Sequence, residues 1–207
     1  MTETIVQDGT PVLRAQARPL TEKDIRSAKT ARLIARMKEL LAQESNGVGL
    51  AAPQVGESVR LFIVSGRAFL SAEPKAPSGA SEEGAREDGE PSVPPDRVFI
   101  NPEIIRQSRK KVEMSEGCLS VRGYYGTVMR SEKATVRAQD ENGKTFTYHG
   151  SGLIAHIFQH EVDHLNGVLY VDKTVKLEKE PKREELRKQR HPGEKKKPRG
   201  AGGRTKK

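Results

Sequence analysis

The chain has 207 residues, is 34% hydrophobic and carries a formal charge of +9. That length suits one domain, and the apolar content supports a modest core. No apolar run of about eighteen residues is present for a membrane span, and residues 1–20 lack the pattern of a signal peptide, so the sequence reads as a soluble, cytoplasmic protein. The charge is confined to one end: residues 173–207 hold fifteen Lys or Arg against five Glu, while the first 172 hold 22 basic and 23 acidic side chains. The body is therefore electrically balanced, and the basicity that resembles a nucleic-acid footprint lies in the tail. Cys118 is the one cysteine, which rules out an internal disulfide and leaves buried filler, reactive thiol or metal ligand.

After an extended start, TPVLRAQARPL, the segment TEKD at 21–24 has the capping-box spacing that opens a helix. Leu33, Ile34, Met37, Leu40 and Leu41 recur at helical spacing and predict one amphipathic helix over about 22–44, its apolar stripe facing a core. VRLFIV (59–64) and VFINPEII (98–105) predict strands. Between them, residues 71–96 contain five Pro, three Gly, seven acidic residues and only Val93 as a large aliphatic. Such a segment buries too little apolar surface to offset the entropy of ordering it, and reads as a disordered insertion. ATVRAQD and KTFTYH flank ENG as a hairpin, with Asn142-Gly143 expected to supply two positive φ angles. Ser151 is a candidate N-cap for a helix over 153–165, and Gly167 stands where a left-handed cap would end it.

That helix carries the chemistry. In QHEVDHLNG (159–167), His160 and His164 lie one turn apart on one face, so both imidazoles can reach one cation. Glu161 is rotated by about 100°, placed to touch a metal-bound water without ligating. The bland alternative is a solvated face with chance histidines, but Leu153 and Ile157 continue the same stripe and make it core-facing. His156 has the same spacing, yet residues eight apart on a helix are separated by about 12 Å, so three rings cannot share an ion. It reads as a polar rim residue, His149 as a strand-end residue and His191 as part of the tail. A third ligand must come from elsewhere, and EGCLS (116–120) offers Cys118 after the strand-like KVEM. The third feature is GVGLAAPQVG (47–56). Its Gly-x-Gly-x-x-Ala pattern mimics a dinucleotide fingerprint, but a helix precedes it and Pro53 follows, so that reading fails on context. What remains is glycine-rich backbone able to approach a ligand, and the side-chain amide of Gln54.

These three stretches, in this order, resemble the three motifs of peptide deformylase, and the resemblance extends over about residues 5–175. It implies an α+β fold in which antiparallel β-sheets surround the HExxH helix, with a catalytic domain over 1–175 and a basic, disordered tail over 176–207. The implied reaction removes the formyl group from the N-terminal methionine of newly synthesised polypeptides. Carried across by position, the resemblance makes Cys118, His160 and His164 ligands of one divalent ion. It favours Fe2+, while the donor set also accommodates Zn2+, Ni2+ or Co2+. Glu161 becomes the general base and acid, Gln54 and the backbone N–H of Leu119 stabilise the formyl oxygen, Val48 and Ile157 line a methionine pocket, and Gly49 offers backbone hydrogen bonds to N-formylmethionyl peptides and nascent chains.

Three features depart from the family pattern. Arg122-Gly123 follows EGCLSV where many relatives have Pro-Gly, His156 stands where many have Arg, and the insertion and basic tail are additions. The tail suggests either a weak electrostatic contact with ribosomal RNA or a merely solubilising charge. Competing readings are an HExxH zinc peptidase, which normally draws a His or Glu from beyond the helix, and a ribosome- or RNA-binding protein with a vestigial catalytic body.

Overall fold

The computed structural model describes residues 4–70 and 93–179. The insertion over 71–92, the tail from residue 180, its mixed-charge segment at 182–190 and His191 lie outside the described residues.

Thr21 closes the expected capping box, its Oγ1 accepting from Asp24 N–H at 3.2 Å while Asp24 accepts from Thr21 N–H at 3.2 Å. The helix so opened, α1 (Glu22–Ile25), lasts one turn. Ser27 then begins α2 (Ala28–Gln43) by accepting from Thr30 N–H. The single helix expected over 22–44 is therefore two, because a serine inside the periodic stretch caps a new start in preference to continuing the old one.

The remaining elements follow as β1 (Gly49–Ala51), a 3-10 turn (Ala52–Val55), β2 (Leu61–Val64), α3 (Gly66–Leu70), β3 (Arg97–Gln107), β4 (Lys111–Cys118), β5 (Val121–Ser131), β6 (Lys133–Gln139), β7 (Thr145–Ser151), α4 (Gly152–Leu165) and β8 (Lys176–Lys179). They form a five-stranded sheet in the order β1-β2-β3-β6-β7 and a three-stranded sheet β4-β5-β8, with every pairing antiparallel. This is the α+β arrangement that the resemblance implies.

Strand β2 explains where the core sits. All four of its residues are buried, and alternate side chains leave opposite faces of a strand. Leu61 and Ile63 pack with Leu33, Ile34, Met37 and Leu41 of α2, whereas Phe62 and Val64 pack with Ile154, Ile157, Phe158 and Leu165 of α4. A sheet covered on both sides needs a continuous apolar run, which LFIV provides. On the α4 side Phe62 stacks on Phe99 at 4.7 Å, and Phe158 meets Phe99 edge-on at 5.1 Å. Burying each such side chain contributes roughly 1.5–3 kcal/mol, which anchors α4 against the sheet.

Four local details differ from the sequence reading. In the β6–β7 connection only Gly143 has positive φ (+80°), and the side chain of Asp140 accepts from both Asn142 N–H and Lys144 N–H. Asp140 thus organises a longer turn than Asn142-Gly143 alone would make. Ser151 occupies the N-cap of α4 but makes no side-chain cap bond, whereas Gly167 adopts φ +75° as expected. The last four residues of the stretch assigned to the insertion belong to the body: Asp96 accepts from Gly66 N–H at 2.9 Å, and Pro94 O lies against Gly66. Likewise β8 carries the folded body four residues beyond the expected boundary at 175, pairing Lys176–Lys179 with Tyr124–Thr127 of β5.

Candidate metal centre

Helix α4 turns His160 and His164 to the same side, with ring centroids 4.9 Å apart. Cys118 faces them from the end of β4, where the β4–β5 hairpin tightens and the register shifts at Gly117/Cys118. Its sulfur lies 3.2 Å from His164 Nε2, and one ligand atom from each of the three residues falls within 4.8 Å of the others. A thiol and two imidazoles at that separation can hold one divalent ion in an open three-ligand site. His164 Nδ1 and Glu161 Oε2 are buried without a partner among the described residues. Unpaired buried polar atoms are costly, so their concentration here marks a place built for something other than internal packing.

The electrostatics agree. Burial alone would lower His160, but hydrogen bonds with Cys118 and Glu116 and the charges of Cys118 and Glu161 lift it well above the ordinary histidine range. The surroundings favour positive charge at this ring. Burial holds His164 well below that range, helped by the charge of His160, which leaves a neutral imidazole of the kind that donates to metals. Burial pushes Glu161 up to about 7, where a carboxyl group can both take and return a proton near neutrality.

Gln54 is placed by the 3-10 turn after β1. Its Oε1 accepts from Ala51 N–H at 2.8 Å, which fixes the amide orientation because a backbone N–H can only donate. The amide nitrogen therefore points into the site, donating to Ser120 Oγ at 3.2 Å and Cys118 Sγ at 3.5 Å. Ser120 N–H also donates to that sulfur, at 3.4 Å. Leu119 sits between these groups at the hairpin tip, its side chain against the α2 core and its carbonyl accepting from Gln7. Val48, Gly49, Gln54, Cys118, Leu119, Ile157, His160 and Glu161 all line one cleft of about 670 Å³, and His164 lies beneath it. All nine residues singled out from the sequence thus come together.

Residues the sequence reading passed over support them. Glu116, buried two positions before Cys118 on the same strand face, receives Arg130 Nε at 2.6 Å and Nη2 at 3.0 Å, and binds His160 Nδ1 at 2.7 Å. Arg130 continues to Asp163 at 2.6 Å, and Asp163 to Lys173. Despite its burial, the hydrogen bonds from His156, His160 and Arg130 hold the Glu116 carboxyl far below its usual range. Removing one partner from such a buried network leaves an uncompensated charge, at a cost of about 3–5 kcal/mol. His156 is not a rim residue as the sequence suggested: it is 5% exposed and binds Glu116 as well. Glu116 and Asp163 were inside the quoted motifs, but Arg130 gave no local sign: it pairs with Val112 in the β4–β5 register, and its long side chain reaches along the strand to Glu116. Arg122, one of the departures from the family pattern, forms a two-pronged ion pair with Glu44 across one end of the cleft, at 2.5 and 3.3 Å.

Comparison with known proteins agrees with this geometry. The family model described as polypeptide deformylase matches residues 2–180. A peptide deformylase of Halothermothrix orenii is 41% identical over 172 residues, spanning 83% of this chain and 93% of that relative. Among solved structures, peptide deformylase 1B of Arabidopsis thaliana in complex with an inhibitor superposes with a TM-score of 0.66 at 34% identity, covering 83% of this chain and 81% of that one. The Thermotoga maritima peptide deformylase gives 0.65 at 32% identity, covering 83% and 97%. The chain belongs to the polypeptide deformylase family of enzymes.

Proposed function

We propose that this enzyme removes the formyl group from the N-terminal methionine of newly made polypeptides, hydrolysing the formamide to formate and a free amine. The observation that carries the reading is the convergence of Cys118, His160 and His164 within 4.8 Å beside a buried Glu161 raised to about 7. These three residues would hold one divalent ion, with Fe2+ favoured by the family resemblance and Zn2+, Ni2+ or Co2+ compatible with the donors. When bound, the ion supplies Lewis acidity that activates water and polarises the formyl group.

The chain's own groups do the rest. Glu161 takes the proton from the attacking water and returns it to the departing amine nitrogen. The Gln54 amide, held by Ala51, donates to the formyl oxygen as negative charge develops there, together with the backbone N–H of Leu119. Losing one such donor typically costs about 10² to 10³ in rate. Val48 and Ile157 form an apolar wall for the methionine side chain, and the backbone of Gly49 lies along the cleft to pair with an extended peptide. The test is Glu161→Gln, which spares the ligands. It should keep about one ion per chain and lose at least about 10³-fold of deformylation of a formyl-methionyl peptide; appreciable turnover would remove Glu161 from its role.

No helix among the described residues is long and apolar enough to cross a membrane. A cytoplasmic setting follows from the proposed substrate, since new chains are made there. The basic tail is proposed as a salt-sensitive tether to ribosomal RNA, because residues 173–207 hold fifteen basic side chains against five acidic.

A further inference from the structure

Glu116 is gripped from two directions. Arg130 approaches along one edge of the carboxylate, Nε to Oε1 at 2.6 Å and Nη2 to Oε2 at 3.0 Å. From α4, His160 Nδ1 meets Oε2 at 2.7 Å and His156 Nε2 meets Oε1 at 2.5 Å. The two histidines are four residues apart, so the carboxylate brackets one turn of the helix. The far side of the His156 ring is also engaged, with Nδ1 against Met114 Sδ at 2.7 Å. We infer that His156 is a positioning residue for His160: by loading Oε1 of Glu116, it fixes where Oε2 can hold His160 Nδ1, and so where His160 presents its other nitrogen.

The geometry gives the reason. An arginine fork alone leaves a carboxylate free to rock about that shared edge, which would move Oε2 relative to the His160 ring. A second donor on Oε1, anchored in the same helix as His160, removes that freedom. Groups that orient a metal-ligating histidine through its second nitrogen typically change metal affinity by about 10- to 100-fold when removed. Among the described residues the converging ligand set is Cys118, His160 and His164, without His156; both ring nitrogens of His156 are taken up by Met114 and Glu116, so it reaches the site through Glu116.

The inference rests on the reading that Cys118, His160 and His164 hold the ion, and the experiment separates the two. The protein is loaded with Co2+, and its visible spectrum and rate of metal loss to a chelator are compared with those of His156→Leu and His156→Gln. Leucine fills a similar volume without a donor, whereas the glutamine amide can replace the Nε2–H. The leucine variant should lose cobalt about 10- to 100-fold faster and show a shifted cobalt spectrum, and the glutamine variant should recover most of the difference. If the leucine variant does not fold, His156→Asn, whose amide is too short to reach Oε1, replaces it with the same expectation. Equal metal loss and spectra in parent and donor-less variant, even with a lower melting temperature, would make His156 a packing residue and overturn the inference. Equally fast loss from the donor-less and glutamine variants would overturn it too. A parent that takes up no cobalt would instead overturn the ligand reading beneath it.

Discussion

A methyl group on Gly49 would lie 2.4 Å from Glu161 Oε1 and 3.1 Å from Ile157 Cγ2, so the glycine of GVG is required by the proposed base and pocket wall rather than by backbone torsion. Single residues of this kind were half legible. Helical periodicity alone placed His160 and His164 together, because the spacing of side chains on a helix is fixed. Cys118 stood out as the thiol that could complete a two-histidine helix and Gln54 as an available amide, but the part of Leu119 and the meeting of all three depended on motif resemblance, since that meeting is set by long-range pairing that no local pattern encodes. Glu116, Arg130 and His156 escaped for the same reason, and His156 was misplaced at the rim because a lone polar residue on an apolar helix face gives no sign of its buried partner. At this scale Cys118→Ser should bind Fe2+ or Zn2+ at least about tenfold more weakly, a hydroxyl being a harder and far less acidic donor than a thiol. Titration with a chromophoric chelator would measure this, and unchanged affinity would make Cys118 filler.

Among the elements, the capping box at Thr21, the strands over VRLFIV and VFINPEII, and α4 were readable from local signals. The split of the first helix was not, since Ser27 is compatible with a helix interior, and nothing local shows that it instead accepts from Thr30 N–H as the cap of a new helix. β8 was hidden by its composition: Lys176, Leu177, Glu178 and Lys179 read as the start of a solvated tail, but Tyr125 and Glu178 share a hydrogen bond across β5–β8 and Thr174 packs over Gly126. Because Tyr124 and Tyr125 line the cleft, β8 supports its wall. Truncation after Lys179 should leave turnover of a short formyl peptide within about twofold, while truncation after Val175 should lower both turnover and melting temperature. Each 1 kcal/mol of lost stability lowers the latter by about 2–4 °C in a chain of this size. Thermal unfolding and formate release of the two truncations check this, and equal behaviour would mean that β8 contributes nothing.

For the molecule as a whole, the charge-balanced body and basic end were legible from counting, while the pairing of two antiparallel sheets around α4 came only with the resemblance, because period-two patterns do not say which strands are neighbours. The insertion boundary was drawn four residues too far: composition blurs at Val93–Asp96, where proline-rich sequence continues but Asp96 already holds the start of α3. Replacing residues 71–92 by a short Gly-Ser linker, with 93–96 kept, should therefore change melting temperature by no more than about 2 °C and leave turnover of small formyl peptides intact; differential scanning calorimetry with a formate assay tests it. The cleft, its three converging donors and Glu161 together make one claim, that this body is a metal-dependent deformylase. The most direct measurement is metal analysis of the full chain purified without air, paired with formate release from a formyl-methionyl peptide before and after chelation. The account predicts about one divalent ion per chain, formate release that chelation abolishes and restored release when the ion is returned. Formate release undiminished in fully metal-free protein, or none from metal-loaded protein, would contradict it.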